Sequence, residues 1–223
     1  MKFYFILFLS MVCLTLSAQS ECSDYYPFQQ GTETELTTYD KKGKVAAVVN
    51  YKVLEVSGGS VTMQSQVLDS EGEEIAQSEY EMKCDDDGIL IDIQALYSPS
   101  LMSQYENMET SISGSELSLP NDLEEGDELE DAEMYITVSM GGIDMNVDVS
   151  MTDRKVIGKE QVTVPAGTFD CIVIEYTSSI KMGLEKKGSA KQWIAKGVGL
   201  VKQEDYNKRG KVTSSTELTK FQP

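Results

Sequence analysis

The stretch from Pro120 to Glu133 holds eight carboxylates in fourteen residues: Asp122, Glu124, Glu125, Asp127, Glu128, Glu130, Asp131 and Glu133. Clustered oxygens of this kind are what a hard cation such as calcium requires. The spacing matches no EF-hand loop, and Asp85-Asp86-Asp87-Gly88 matches one only in fragment. Leu123, Gly126 and Leu129 recur regularly among the acids. That pattern predicts a solvated loop with two leucines tucked inward, and no metal site. Paired carboxylates also serve glycoside hydrolysis, but sequence alone brings no two of these acids into one cleft.

The chain contains no histidine. The commonest general base and the commonest neutral metal ligand are therefore missing. Histidine-based triads are excluded and zinc sites disfavoured. Glu, Asp, Lys and Tyr remain available for acid–base work, so an enzyme is disfavoured, not ruled out. No phosphate loop, dinucleotide fingerprint or nucleophile elbow is present. No cofactor is expected. Gly197-Val198-Gly199 lacks the helix such a fingerprint needs, and Trp193 reads as a packing anchor.

The softer groups are sulfur. Cys22, Cys84 and Cys171 follow the leader described below. An odd count leaves one cysteine over. Cys84 ends one predicted strand and Cys171 begins another, so a Cys84–Cys171 disulfide is one expectation. Buried free thiols packing as small hydrophobes are the other. Methionines concentrate between Met134 and Met151. Met134, Ile136, Val138 and Met140 alternate with polar residues, and so do Ile143, Met145, Val147, Val149 and Met151. Methionine is flexible and polarizable, and it recurs on surfaces that accept varied apolar ligands. Met134, Ile136, Val138, Met140, Met145, Val147 and Met151 are thus the candidate lining of an apolar ligand site. Ordinary core is the competing reading.

These residues need strands to place them. Gly141-Gly142 suits a two-residue type I′ turn. That turn sets Met140 opposite Ile143, Val138 opposite Met145 and Ile136 opposite Val147, with all the apolar side chains on one face. A one-residue slip would turn that face to solvent. Other hairpins are expected at Lys41–Lys44, at Ser57–Ser60 and at Asp85–Gly88. Tyr39–Val45 resembles Tyr206–Val212, as two turns opened by Asp or Asn with a glycine in the left-handed region. Cys171–Ile174 is apolar at both parities, which predicts a strand covered on both faces. One short helix is expected: Ser98 caps it, Pro99 starts it, and Leu101, Met102, Tyr105 and Met108 share a face.

Residues 1–20 read as a secretory signal peptide, with Lys2, an apolar run from Phe3 to Leu16 and small residues at Ser17, Ala18 and Ser20. Neither Cys13 nor Cys22 follows a small residue, which argues against a lipid anchor. Residues 21–223 suit a single β domain. No later stretch is long and apolar enough for a transmembrane segment. The formal net charge is -18. From Gln19 to Asp153 there are 5 basic and 30 acidic residues; from Arg154 onward, 13 and 7. The acidic majority argues against nucleic acid and against anionic membrane surfaces as partners. The asymmetry itself is read as C-terminal strands neutralising acidic neighbours.

Four segments carry a resemblance. They are Cys22–Phe28, Leu119-Pro120 through Gly126 to Asp131-Ala132, Val162–Cys171 and Gln192–Lys202. Together they resemble the TapB-like domains of unknown function, an uncharacterised family of exported bacterial β-proteins. The resemblance implies an antiparallel sheet curled as an open barrel, similar in style to periplasmic lipoprotein carriers. It implies no activity and no catalytic residues. The expectation is therefore an all-β protein, a strongly curved antiparallel sheet or partly open barrel with one short helix. Its expected role is that of an exported, periplasmic or secreted non-enzymatic binding protein. The expected partner is an apolar small molecule, an exported polypeptide or another envelope protein. A structural or assembly factor and a carboxylate-dependent hydrolase are the alternatives.

Overall fold

The computed structural model describes residues 23–84, 87–91 and 109–223. They form thirteen strands. These are β1 (Glu33–Asp40), β2 (Val45–Ser57), β3 (Ser60–Asp69), β4 (Glu74–Cys84), β5 (Gly88–Ile91), β6 (Glu109–Gly114) and β7 (Leu117–Pro120). There follow β8 (Ala132–Met140), β9 (Ile143–Val164), β10 (Gly167–Met182), β11 (Leu184–Ala195), β12 (Gly199–Asn207) and β13 (Val212–Gln222). All pair antiparallel in one sheet, in the order β6-β8-β9-β10-β11-β12-β13-β1-β2-β3-β4-β5-β7. No helix occurs among the described residues. The helix expected from Ser98 to Met108 lies outside them.

The sheet is not closed into a barrel, yet its edges stand close in the chain. β6 is one edge and β7 the other, and only Ser115 and Glu116 join them. Ser115 is fixed by two bonds: its N–H donates to the Glu133 carbonyl, and its Oγ accepts from the Glu133 N–H, each at 2.9 Å. A flat sheet cannot bring its first and last strands within two residues, so the sheet must curl.

Bulges supply much of the curl. β9 runs for 22 residues, far beyond the stretch to Met151 that alternation made legible. Its pairing with β10 shifts twice. At one shift, Asp153 and Arg154 together oppose Tyr176, and Asp153 takes a φ of 55°. An extra residue of this kind bends the strand and re-aims side chains. Here it turns Arg154 inward, leaving it 2% exposed.

Three clusters of buried side chains follow. The first gathers Val53, Met63, Tyr80, Ile89, Leu119, Val156, Ile172 and Ile174, with Tyr25 and Leu123 packed in from outside the strands. The second seats the tip of the β9–β10 hairpin, Val162, Val164 and Phe169, on Trp193, Val201 and Leu218. The Ala166 N–H donates to the Leu218 carbonyl there. The third is Met134, Ile136, Val138 and Val147. Cys171–Ile174 is buried at both parities, as its sequence requires. Cys171 and Val173 enter the second cluster, Ile172 and Ile174 the first.

Candidate functional site

The β8–β9 hairpin has the register its sequence dictates. Met140 faces Ile143, Val138 faces Met145, Ile136 faces Val147 and Met134 faces Val149. Met134, Ile136, Val138 and Val147 are each 1% exposed or less. Ile112 and Val149 flank them. Met151 is half-buried and Met145 is exposed. Met140 belongs to the strand, but its side chain is outside the described set. The candidate apolar residues are thus brought together, with most of them in packed core and Met145 at the margin. The face continues onto β10, where Val149 stands opposite Ile180. Ile180 is exposed. Beside it lies a groove of about 610 Å³ whose walls include Tyr135, Ile136, Met145, Asn146 and Lys181.

The four segments that carry the resemblance converge elsewhere. A groove of about 810 Å³ is bounded by Tyr25, by the loop Asn121–Glu124, by Lys159–Gln161, by Asp170–Ile172 and by Ile194 and Lys196. Its N-terminal wall is held by polar bonds. The Ser23 Oγ accepts the N–H groups of Tyr25 and Tyr26 at 3.1 Å. The Asp24 N–H donates to Asn121 Oδ1 at 2.8 Å, and the Gly197 N–H donates to the Asp24 carbonyl at 2.7 Å. Lys196 Nζ pairs with the Asp24 carboxylate and lies 5.6 Å from the Tyr25 ring centre. Gly199 has a direct reason for its identity. A Cβ there would stand 3.0 Å from the Tyr26 ring. The Gly-Val-Gly segment is therefore a seat for Tyr26.

Three charged groups of this groove, Lys196, Glu160 and Asp170, are committed to partners. Glu160 accepts from Trp193 Nε1 at 2.8 Å, and Asp170 accepts from Gln161 Nε2 at 3.0 Å. Trp193 packs in the second cluster, as its strand context suggested. Cys171 is a free, buried thiol. Burial, reinforced by Asp170 and Glu160, pushes it up to about 11. It is therefore protonated at neutral pH, the inert state of a structural cysteine. The expected Cys84–Cys171 bond is not made: Cys171 is a free thiol packed in the second cluster.

The acidic segment behaves as a solvated loop clipped to β9. Glu128 bridges Lys155, and the N–H groups of Gly126 and Leu129 donate to the carbonyls of Val156 and Arg154. Leu123 is buried and Leu129 half-buried, while the acids other than Asp127 are exposed. Among the described residues, four carboxyls have shifted acidity and all move down. Glu35 and Glu204 are raised by burial, but hydrogen bonds from Lys220 and Thr219, and from Lys202 and Tyr206, outweigh it. Backbone N–H groups lower Asp40, and Lys187 and Ser179 lower Glu185. A carboxylic acid serving as proton donor near neutrality needs the opposite shift.

Sequence reasoning missed the polar interior. Arg154 Nη1 donates to the Glu130 carbonyl at 2.6 Å and Nη2 to the Ser118 carbonyl of β7 at 3.2 Å. Its Nε is buried without a partner. Tyr26, Tyr51, Tyr80 and Tyr176 lie in the same interior. Burial pushes all four upward, Tyr26 and Tyr51 to about 12. The available signal was that Arg154 is one of two arginines in the chain and sits mid-strand.

Known structures share this fold. A protein of Bacteroides fragilis, described as exported and of YmcC-like fold, superposes with a TM-score of 0.77 at 20% identity over 91% of this chain and 100% of its own. A protein of Parabacteroides distasonis, described as a lipoprotein, gives 0.75 at 24% identity over the same shares. No curated protein matches in sequence. Residues 29–218 match the family described as DUF3108-like; the TapB-like name that the motifs suggested is not the one this match carries. The chain belongs to the DUF3108-like family.

Proposed function

We propose that the protein is an exported, non-enzymatic binding protein of the bacterial envelope that holds an apolar ligand. The ligand lies against the apolar face shared by β8, β9 and β10. One observation carries this reading. The packed cluster of Met134, Ile136, Val138 and Val147 is extended on the same face by Met145, opposite Val138, and by Ile180, opposite Val149, which are 38% and 43% exposed. Soluble proteins seldom leave apolar side chains contiguous at the surface unless they contact something there. Methionine at the margin adapts to guests of varied shape. Export is supported by the leader-like N-terminus and by the descriptions of the two structural relatives.

The test is native mass spectrometry of the protein purified from its own envelope, followed by organic extraction. A reproducible extra mass that extracts as lipid is expected. It should be lost in Met145→Glu/Ile180→Glu, whose exposed positions leave the circular dichroism spectrum unchanged. A clean apo mass for the wild-type protein, with no lipid in the extract, would overturn the reading.

A further inference from the structure

Six neighbouring strands, β10 to β13 with β1 and β2, end in three hairpin turns at one rim of the sheet. Pairing places them there: Met182 faces Leu184, Gly188 faces Asn207, Tyr206 faces Val212 and Asp40 faces Ser214. At the usual spacing of strands, the three turns span about 24 Å. The β10–β11 turn brings Lys181, Lys186 and Lys187. The β12–β13 turn brings Lys208, Arg209 and Lys211. The β1–β2 turn brings Lys41, Lys42 and Lys44. All nine are exposed, and they are nearly half of the 19 basic residues in a chain of net charge -18. Lys181 pairs with Asp148 and Lys187 with Glu185. No ion pair engages the other seven among the described residues.

Turn geometry does not require these charges. In the β1–β2 turn, Asp40 Oδ1 accepts the N–H groups of Lys42 and Lys44. In the β12–β13 turn, Asn207 Oδ1 accepts those of Arg209 and Lys211. The β3–β4 turn is built identically on Asp69 Oδ1, yet its N–H donors are Glu71 and Glu73. One backbone device thus carries either sign. The basic side chains are a property of this part of the rim, which the acidic β3–β4 turn borders on one side.

The same rim exposes apolar side chains. Leu184 at the β10–β11 tip is 84% exposed, the highest value for any large apolar residue described, and Val212 and Val45 are 45% and 40% exposed. Cations around protruding apolar tips are the composition of surfaces that settle on anionic headgroups and insert shallowly. The most acidic loop, with eight of the 37 carboxylates, bridges β9 at Lys155, roughly 30–40 Å along that strand from its rim end. That exceeds the Debye length of about 10 Å at moderate salt, so the rim presents its own charge to a nearby surface.

We propose that this rim docks the protein on an anionic lipid bilayer, with Leu184 entering the headgroup layer. The inference goes beyond ligand holding and does not depend on it. It also reverses the expectation from whole-chain charge, because charge here is segregated by position.

The experiment is co-sedimentation of the full exported protein with vesicles of phosphatidylcholine, alone or mixed equally with phosphatidylglycerol. Binding to the mixed vesicles only, weakening with salt, is expected. Each cation near an anionic surface contributes about a fivefold gain in affinity, so Lys186→Glu/Lys208→Glu/Arg209→Glu should lose at least about 100-fold. Leu184→Ser should lose about tenfold through its apolar contact alone. Lys155→Glu/Lys159→Glu, away from the rim, should bind as the wild type does. Absence of binding to mixed vesicles overturns the proposal. So does equal loss in the distant control, or tight binding to soluble polyglutamate that Leu184→Ser leaves untouched, which would mark a site for an acidic protein.

Discussion

Arg154 decides how the two ends of the sheet are held together. Its guanidinium reaches from β9 to the Ser118 carbonyl of the far edge strand and to the Glu130 carbonyl of the acidic loop. Hydrogen bonds from a charged donor contribute about 1.5–3 kcal/mol each. Arg154→Met removes both and keeps the apolar volume, so we expect a loss of roughly 3 kcal/mol in urea unfolding. Arg154→Lys should recover little, because an ammonium cannot span two carbonyls set for a planar fork. Full stability in Arg154→Met would show that the edges are held by other means. None of this was legible beforehand. A strand alternation assigns Arg154 a face, but the bulge at Asp153 resets it. Cys171 illustrates the converse. Its burial was legible from four consecutive apolar residues, but its lack of a disulfide partner depends on which cluster it faces.

The β8–β9 hairpin is the element the sequence specified most completely, because turn type and apolar alternation demand one register. Gly141 and Gly142 take φ values of 58° and 82°, as a type I′ turn needs. A Cβ at either would meet nothing within 4 Å, so any cost of substitution is backbone strain alone. Gly142→Val should cost about 1–2 kcal/mol, while Gly141→Asn should be close to neutral. Equal losses in the two variants, measured by denaturant unfolding, would contradict the type I′ assignment. The pair of look-alike turns at Asp40 and Asn207 was also legible, and Asp69-Ser70-Glu71-Gly72 carries the same spacing of Asp and Gly beneath different side chains. The extension of β9 past Met151 was hidden as well. Bulges interrupt alternation, and alternation is the signal by which a strand is read.

On the scale of the whole molecule, the tyrosine-lined interior sets an alkaline limit. Burial holds Tyr26 and Tyr51 at about 12, above their ordinary 10.0. Between these values the unfolded chain has lost protons that the folded protein still binds, so rising pH favours unfolding. Stability is intact below pH 10 and is lost as pH climbs toward about 12. Loss of lysine charge from a chain already at -18 acts in the same direction. Circular dichroism through an alkaline titration should collapse in that window, and Tyr51→Phe should move the midpoint upward. An unmoved midpoint would mean that this hydroxyl does not govern the transition. All-β architecture was readable from turn spacing and composition, and the curl of the sheet was an expectation that only the resemblance of four motifs supplied. The order of the strands was not, because pairing between distant strands leaves no mark in local patterns.

That order has a consequence for how the chain is assembled. β1 has two neighbours, β2 and β13, and Glu33 lies opposite Gln222 in the second pairing. The first strand of the sheet to be synthesised therefore waits for the last before its ladder is complete. Contacts so distant in sequence form slowly. Until β13 is available, β1 lacks half of its hydrogen-bonding partners, so the native shape is the last thing the chain acquires.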